Sequence, residues 1–283
     1  MMIVWGATAL LVIGVFYYAA TLLLRKPRME ARRQQVLAQD FPAAWLAIIE
    51  RRCKFYKRMP DDLREVLKKR VMVFIAEKKF EACGDLEEVT EEMRVVIAAQ
   101  ACLLLVAVKK HNYFCKLKSI LLYPGAFHRG RERLFSLHDE EAGEGKQVLL
   151  GESWGSGSVI LAWENTLRGA LNEDDGQNVV MHEFAHQLDQ VDGQADGAPI
   201  LASRADYEDW AKVLGHDYEK LVKLTEAGKR DLIDAYGATN PAEFFAVATE
   251  TFFERPRRLR KKHRELYDEL REYYGQDPAE WNG

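Results

Sequence analysis

Hydrophobic and polar positions follow three different patterns along this chain, and each pattern predicts a different kind of element. The first pattern is uninterrupted, because residues 1–24 contain no charged side chain. As a helix rising 1.5 Å per residue, this stretch would be roughly 36 Å long, enough to cross a hydrocarbon core of about 30 Å with some tilt. We therefore predict one transmembrane helix over residues 1–24; the alternative is a buried N-terminal helix.

The charges that flank this stretch predict its orientation. Five basic residues follow it closely and none precedes it; they are Arg25, Lys26, Arg28, Arg32 and Arg33. A cleaved signal peptide would need a positive segment in front of the apolar stretch and a cleavage site with small residues, and both are missing. Because positively charged flanks stay in the cytoplasm, we expect a single-pass protein of the inner (plasma) membrane whose globular domain faces the cytoplasm.

The second pattern has a helical period and begins after a charged connector at residues 25–40. Beyond the connector the composition is typical of a globular domain, which we assign to residues 41–283. Apolar positions between Leu63 and Ile75 recur with the period of a helix, and Gly84 interrupts them. A helix is therefore predicted at the start of this domain.

A second helix of the domain is predicted to start at Thr90, whose hydroxyl suits an N-cap, and to continue to about Val108. From Val95 onward this helix is apolar nearly all round, broken only by Gln100. A helix without a polar face is typical of the centre of a core. It is too short, and too closely flanked by charge, for a second membrane span.

The third pattern consists of short apolar runs bounded by proline or glycine, as in strands. We predict strands at Ser119–Pro124, Gln147–Gly151 and Val159–Trp163. Gly155 and Gly157 separate the last two runs, which indicates a hairpin or a bulged edge. Helices followed by short strands and a further helix predict a mainly helical α+β domain, with a small sheet beside the helix that includes residues 181–189.

Composition narrows the classes of protein to which the chain can belong. The formal net charge of −4 and a pI near 6.0 argue against a general nucleic-acid binder, so we expect no direct nucleic-acid partner. The cysteines form no Cys-x-x-Cys pair and are typical of small buried residues in a reducing compartment. They are Cys53, Cys83, Cys102 and Cys115.

The chemistry lies in one helical stretch with the pattern His-Glu-x-x-His. His182 and His186 are four positions apart, so they lie on the same face of a helix and can hold one metal ion together. Glu183 stands next to the first histidine, in position to take a proton from a metal-bound water. Imidazole ligands with an open coordination position favour zinc, so we expect one Zn²⁺ ion. The alternative is a helix that carries two histidines by chance.

The residues around this motif favour the metal site. Val180, Phe184 and Leu188 recur at intervals of four positions and supply an apolar side, so the histidines on the other side would face a cleft. Asp174 or Asp175 could cap the start of the helix.

A catalytic zinc site usually has a third protein ligand, and the sequence offers two candidates. Asp192 lies six residues after His186, as in the metzincin pattern, but that pattern requires a glycine where this chain has Asp189. Glu243 is the better candidate, because the Asn-Pro dipeptide shortly before it predicts the start of a helix that could turn Glu243 toward the metal. A glutamate in a first turn is otherwise common for capping alone.

Other polar residues near these motifs have two interpretations each. Tyr236 could donate a hydrogen bond to the oxyanion of a tetrahedral intermediate, or it could be an ordinary packed tyrosine. Asp189 could orient a metal-binding histidine or satisfy the helix end. Glu250, one heptad after Glu243, is more typical of a solvated or structural residue. The remaining histidines are typical of surface groups; they are His111, His128, His138, His216 and His263.

Two stretches together resemble the Mlc titration factor A family of zinc peptidases: HEFAHQLD at residues 182–189 and YGATNPAEFFAV at residues 236–247. Further similar stretches lie at residues 98–105, 148–154 and 274–278, so the match runs from about Phe41 to the end of the chain. These peptidases are gluzincins whose metal site is similar to that of anthrax lethal factor. The resemblance implies a zincin-like metallopeptidase fold with zinc ligands His182, His186 and Glu243, general base Glu183 and transition-state donor Tyr236.

The resemblance also implies aminopeptidase-like activity on short peptides, and regulation of sugar uptake through binding of the repressor Mlc. The expected function is a membrane-anchored zinc peptidase that acts on a peptide or protein substrate and contacts the lipid bilayer through its N-terminal helix. The competing function is a non-catalytic, membrane-tethered regulatory binding protein with a structural or vestigial zinc site. The lack of a cysteine near His182 and the intact Glu183 favour the enzyme.

Overall fold

The computed structural model describes residues 27–108, 113–125, 128–129, 132–133, 157–172 and 174–281 of the chain. The chain divides into two units, Met1–Asp40 and Phe41–Gly283. Within the described part of the first unit, residues 27–37 are helical. None of the helices in these described ranges has the length and apolar character needed to cross a bilayer. The transmembrane helix predicted over residues 1–24 lies outside the described residues.

The second unit is mainly helical, and several of its helices begin at a residue whose side chain caps them. Side-chain caps of Thr90, Asn178, Ser203 and Asn240 each accept a hydrogen bond from a backbone N–H three positions later. The elements in chain order are α1 Ala43–Arg52, α2 Phe55–Arg58, α3 Asp61–Glu77, β1 Lys79–Ala82, α4 Glu91–Leu103, β2 Ser119–Tyr123, β3 His128–Arg129, β4 Glu132–Arg133, β5 Ser158–Ala162, α5 Trp163–Leu171, α6 Val179–Asp189, α7 Arg204–Glu226, a 3-10 turn Ala235–Ala238, α8 Pro241–Glu254, α9 Pro256–Lys262, α10 Arg264–Tyr274 and a 3-10 turn Pro278–Glu280.

A small parallel sheet with the strand order β1-β2-β5 confirms the α+β class. Ile120 of β2 pairs with Phe80 on one side and with Val159 on the other. The strands predicted at 119–124 and 159–163 are therefore present, whereas the predicted strand at 147–151 and its hairpin lie outside the described residues. The sequence pattern missed β1, because its four residues are too short and too polar to show a strand period. β1 is held by its pairing with β2.

The central core helix is α4, as its apolar pattern predicts. Thr90 caps it, and its residues from Val95 to Leu103 are all fully buried. It ends at Leu103 rather than near Val108, and the chain then turns. The polar residue in its middle, Gln100, has a structural use: its side chain reaches the carbonyl of Thr166 in α5 and accepts a hydrogen bond from the loop before α6.

The apolar side of α6 rests on aromatic rings from two earlier segments. The Phe184 ring lies 4.8 Å from the Phe114 ring and 5.6 Å from the Phe74 ring, measured between centroids. All three side chains are buried. Removing a buried phenylalanine ring typically costs about 3–5 kcal/mol of stability, so this contact sets how α6 lies against the core.

Candidate metal centre

The helix that carries both histidines, α6, begins at an asparagine. The Asn178 side chain accepts a hydrogen bond from the Met181 backbone N–H, so the caps predicted at Asp174 or Asp175 are wrong. The Asn178 amide also donates to Gln100, at 2.8 Å, which ties the start of α6 to the core helix. Every residue of α6 is buried. The histidine side is therefore as buried as the apolar side, whereas the sequence pattern predicts a side that faces a cleft.

His182 and His186 direct their Nε2 atoms toward each other across one turn of α6, 3.2 Å apart. The tautomer of His182 follows from Glu250, whose Oε1 lies 2.8 Å from Nδ1. The Nδ1–H donates to this carboxylate, so in the metal-binding, neutral form of the ring the lone pair of Nε2 faces His186. Metal-binding histidines normally donate their other ring N–H in this way.

The third side chain of the site comes from the first turn of α8. Asn240 caps that helix by accepting a hydrogen bond from the Glu243 backbone N–H at 3.0 Å, and Pro241 occupies the first helical position. The Glu243 side chain is buried, and its Oε2 lies 3.0 Å from His182 Nε2 and 3.3 Å from His186 Nε2. The three residues that the sequence singled out as ligands are thus brought together.

The three ligand atoms form a nearly regular triangle with edges of 3.0, 3.2 and 3.3 Å. Ligand atoms about 2.0–2.1 Å from a tetrahedral metal ion lie about 3.3 Å from one another, so the triangle has the size that one ion requires. Glu243 Oε2 is buried and, within the described residues, receives no hydrogen bond of acceptable geometry. The donor set of two nitrogens and one oxygen therefore fits a single metal ion.

The charges around this trio also favour a cation. Burial on its own lowers the pKa of His182, but the nearby carboxylates of Glu243 and Glu250 outweigh burial and raise that pKa well above its ordinary value. Burial raises the pKa of Glu243, and the two imidazoles outweigh it, so this pKa is held well below its usual range. Two carboxylates therefore stabilise positive charge in a buried site, whether a proton or a metal ion carries it.

Glu183 and Tyr236 lie beside the trio. Glu183 is buried on α6, with 7% of its surface exposed. Tyr236 lies in the 3-10 turn before α8, where Asp234 accepts a hydrogen bond from the Tyr236 backbone N–H at 2.9 Å. Its ring centroid is 5.9 Å from that of His182. Burial and the negative charges of Glu243 and Glu183 raise the pKa of Tyr236, so its phenol keeps its proton and can donate a hydrogen bond.

Asp189 is fully buried at the end of α6 and fastens the loop that follows. Its Oδ2 accepts a hydrogen bond from the Gly197 backbone N–H at 3.1 Å, and Trp210 donates to the Gly197 carbonyl at 3.0 Å. Gly197 has a φ of +80°, and a Cβ atom there would clash with the carbonyl oxygen of Pro241. Asp189 and Gly197 therefore connect the end of the helix that carries the histidines to the start of the helix that carries Glu243.

Asp192, the alternative third ligand, lies elsewhere. It is exposed, and its carboxylate accepts a hydrogen bond from the Gln194 backbone N–H. Among the described residues the cluster able to hold a metal ion consists of His182, His186 and Glu243. The metzincin alternative is therefore wrong.

Glu250 is the residue of the candidate site that the sequence pattern undervalued. Its side chain is buried, Oε1 contacts His182, and Oε2 accepts a hydrogen bond from the Asn178 backbone N–H. Of the two expectations for Glu250, a solvated residue or a structural one, the first is wrong because the side chain is buried. Position i+7 returns to the same face of a helix after two turns, so its spacing from Glu243 is the signal that could have identified it.

One histidine expected at the surface is buried. His263 is 5% exposed and lies between the carboxylates of Asp217 and Asp231. His216 is exposed, as expected. His111 and His138, and the side chain of His128, lie outside the described residues.

Comparison with known proteins gives relatives along most of the chain. A family model described as glucose-regulated metallo-peptidase M90 matches residues 28–275. The uncharacterized protein slr2042 of Synechocystis sp. is 39% identical over 251 residues, which cover 88% of this chain and 90% of the relative. Mlc titration factor A of Pectobacterium atrosepticum is 32% identical over 165 residues, covering 56% of this chain and 59% of the relative. The protein of the same name from Yersinia pestis is 33% identical and is covered over 58% of its length.

Proposed function

This chain belongs to the glucose-regulated metallopeptidases of family M90, the Mlc titration factor A family, and from that premise we propose that it is a zinc-dependent peptidase of the gluzincin type. The observation that carries the proposal is the buried triangle of two imidazole nitrogens and one carboxylate oxygen, with edges of 3.0–3.3 Å. Glu183 adjoins His182 and could act as a general base. Tyr236 lies beside the two histidines and could stabilise an oxyanion.

His182, His186 and Glu243 would hold one Zn²⁺ ion. Two imidazoles and a carboxylate are a common ligand set of catalytic zinc sites, and they leave a coordination position open. Zinc bound there would act as a Lewis acid that polarises a peptide carbonyl and lowers the pKa of a water molecule to about 7.

The remaining steps belong to the side chains of the protein. Glu183 accepts a proton from the attacking water while the oxygen of that water bonds to the carbonyl carbon. It then passes the proton to the leaving amine as the C–N bond breaks. Tyr236 donates a hydrogen bond to the oxyanion that develops on the former carbonyl oxygen. The raised pKa of Tyr236 supports this role, because the phenol remains a donor at neutral and mildly alkaline pH.

The decisive variant is Glu183→Gln, which keeps the size of the side chain and removes the base. We expect the peptidase kcat to fall by about 10³-fold, within the range for loss of a general base, while the metal content stays at one ion per chain. Activity would be followed on chromogenic aminoacyl substrates, and metal would be measured by elemental analysis. The exposed Glu226→Gln is the matched control and keeps the wild-type rate.

This experiment also separates the enzyme from its competitor, a regulatory binding protein with a vestigial site. Wild-type protein loaded with zinc but inert on aminoacyl and longer peptides would favour the binding protein. Full activity in Glu183→Gln would instead contradict Glu183 as the general base, while the protein would still be a peptidase.

The substrate class and the partner are further parts of the proposal. Aminopeptidase-like cleavage of short peptides follows from the resemblance to the family. The relatives from Pectobacterium atrosepticum and Yersinia pestis carry the name Mlc titration factor A, which supports the repressor Mlc as a candidate partner. Purified Mlc, titrated into the full-length chain and followed by calorimetry, tests this; no heat of binding at micromolar concentrations would remove Mlc from the proposal.

We also propose that residues 1–24 anchor the protein in the inner membrane, with the peptidase domain in the cytoplasm. The support is the uncharged stretch and the basic residues that follow it. Extraction of membranes at alkaline pH should leave the full chain in the pellet, and protease added to intact spheroplasts should spare the domain. Release by alkaline extraction would contradict the anchor.

A further inference from the structure

We propose that His263 is a positioning residue for Tyr236, an imidazolium that fastens the segment bearing this tyrosine to the helices behind it. The inference rests on the proposed peptidase activity. It assigns a role to a buried histidine that lies outside the metal centre and contributes nothing to the ligand triangle.

Both ring nitrogens of His263 face carboxylates from different parts of the fold. His263 lies at the junction of α9 and α10. Its Nδ1 is 3.1 Å from Asp217 Oδ1 in α7, and its Nε2 is 2.9 Å from Asp231 Oδ1 in the segment between α7 and the 3-10 turn. All three side chains are at most 9% exposed. A neutral imidazole has only one N–H, so both hydrogen bonds can be donated only by the doubly protonated ring.

The charges that face this ring keep it protonated. The charges that do so are the carboxylates of Asp217 and Asp231. The ammonium of Lys262, which contacts Asp231 Oδ1 at 2.5 Å, acts in the opposite direction on the ring. Burial alone lowers the pKa of His263, but the two carboxylates outweigh it and raise that pKa above its ordinary value. Burial raises the pKa of Asp231, but Lys262 and His263 outweigh it and hold this pKa at about 2. Near neutral pH the contact is therefore between an imidazolium and carboxylates.

Asp231 is a fixed point of the segment that leads to Tyr236. Its carboxylate accepts a hydrogen bond from the Leu232 backbone N–H, and the next side chain, Ile233, is buried with 1% exposed. Asp234 then caps the turn that contains Tyr236. A 3-10 turn of four residues has few hydrogen bonds of its own, so its position depends on its packing against α7 and α8 and on what holds the residues before it.

We call the contact of the His263 imidazolium with Asp217 and Asp231 the clamp. It connects three elements through one side chain. Through Asp217 it holds α7, through Asp231 it holds the segment before the turn, and His263 itself belongs to the junction of α9 and α10. Losing it would let the segment shift while the metal ligands, which lie in α6 and α8, stay in place. A phenol displaced by about 1 Å could cost up to 10²-fold in rate.

The test is His263→Gln in the full-length protein, with the exposed His216→Gln as its control. Glutamine can hydrogen-bond one aspartate but carries no charge. We expect kcat to fall about 10-fold, with KM and zinc content unchanged, because the oxyanion donor rather than substrate or metal binding is affected. Amide hydrogen exchange in residues 231–238 should speed up at least several-fold, while exchange in α6 stays at the wild-type rate.

The pH dependence distinguishes a clamp from a merely structural contact. A histidine whose pKa is raised on folding stabilises the folded arrangement fully below its unfolded pKa of about 6.5. This stabilisation is lost as the pH rises through the pKa of the folded state. The ratio of wild-type to His263→Gln kcat should therefore be largest at or below about pH 6.5 and fall toward one in alkaline solution. A ratio that is constant with pH would overturn the imidazolium clamp.

The outcomes separate this inference from the peptidase proposal. A wild-type protein without activity contradicts the peptidase, and the exchange measurement then tests the clamp alone. An active wild type with unchanged kcat and unchanged exchange in His263→Gln contradicts the clamp. If His263→Gln does not fold, Asp217→Asn replaces it. In the wild type, amide exchange in residues 231–238, corrected for intrinsic rates, must also become faster as rising pH deprotonates His263.

Discussion

Two buried histidines in this protein have nearly the same contacts and different chemistry. His182 has carboxylate oxygens 2.8 and 3.0 Å from its ring nitrogens, and His263 has them at 3.1 and 2.9 Å. At His182 a further ligand atom, His186 Nε2, lies 3.2 Å from Nε2 and shares the Glu243 oxygen. At His263 the two carboxylates contact different ring nitrogens, and the further group that reaches Asp231 Oδ1 is the ammonium of Lys262, which is itself a cation and not a metal-binding donor.

The difference shows what makes a metal site. A histidine between two carboxylates is satisfied by a proton, because each N–H finds an acceptor. Three donor atoms that converge within about 3.3 Å of one another match the ligand spacing of a single tetrahedral ion. Convergence, rather than the number of acidic neighbours, separates the candidate metal centre from the proposed clamp.

Removing the metal should abolish activity at the metal centre and leave the contact of His263 with its two aspartates unchanged. In His186→Asn, or in wild-type protein treated with a chelator, we expect zinc to be lost and kcat/KM to fall by at least about 10³-fold, since Lewis-acid stabilisation is worth several kcal/mol. Hydrogen exchange in residues 231–238 should remain at the wild-type rate, because His263 lies outside the ligand set. Equal loosening of both regions would show that they are one unit.

Glu250→Gln tests what the negative charge of Glu250 contributes to metal binding. The variant keeps an acceptor for His182 Nδ1–H and removes only that charge. The affinity for zinc should fall about 10–100-fold, as for other partners of metal-binding histidines. At saturating zinc, kcat should recover to within a few-fold of wild type. Competition with a fluorescent chelator measures the affinity. Glu254→Gln, one turn further along the same helix, is the matched control, and an equal loss of affinity there would contradict a specific role for Glu250.

The smallest expected effect is on stability, at a carboxylate that has neither a histidine nor a metal to face. Glu254 is 5% exposed, and neither of its oxygens has a hydrogen-bond partner of acceptable geometry among the described residues. Burial and the charges of Glu250 and Asp175 raise its pKa to about 9. The amide of Glu254→Gln is neutral at every pH and carries none of the cost that this raised pKa imposes on the carboxyl, so the variant should stabilise the protein at neutral pH.

The sign of that effect depends on pH. An acid whose pKa is raised on folding adds no free-energy penalty below its unfolded pKa of about 4.5, and an increasing penalty as the pH rises toward about 9. The melting temperature of Glu254→Gln should therefore match that of the wild type near pH 4 and exceed it by several degrees at pH 8. Calorimetry at the two pH values measures this; a difference that shrinks as the pH rises would contradict the assignment.

Much of the scaffold could be predicted from local patterns. The core helix α4 and its cap at Thr90, the strands at Ser119 and Val159, and the start of α8 at Asn240 each follow from neighbours within a few positions. The local patterns failed where a competing residue was present nearby. Asn178 caps α6 although two aspartates precede it, because only Asn178 also reaches Gln100 of the core helix.

The sequence by itself determined the candidate ligands, since His182, Glu183 and His186 follow helical spacing and Glu243 follows a helix-start signal. Only the tertiary structure decided that Glu250 contacts His182, 68 positions away, and that His263 lies between Asp217 and Asp231, 46 and 32 positions away. The physical reason is that helix period and capping depend on adjacent residues. Which carboxylate meets which buried imidazole depends on how distant helices pack, and a one-dimensional pattern carries no record of that packing.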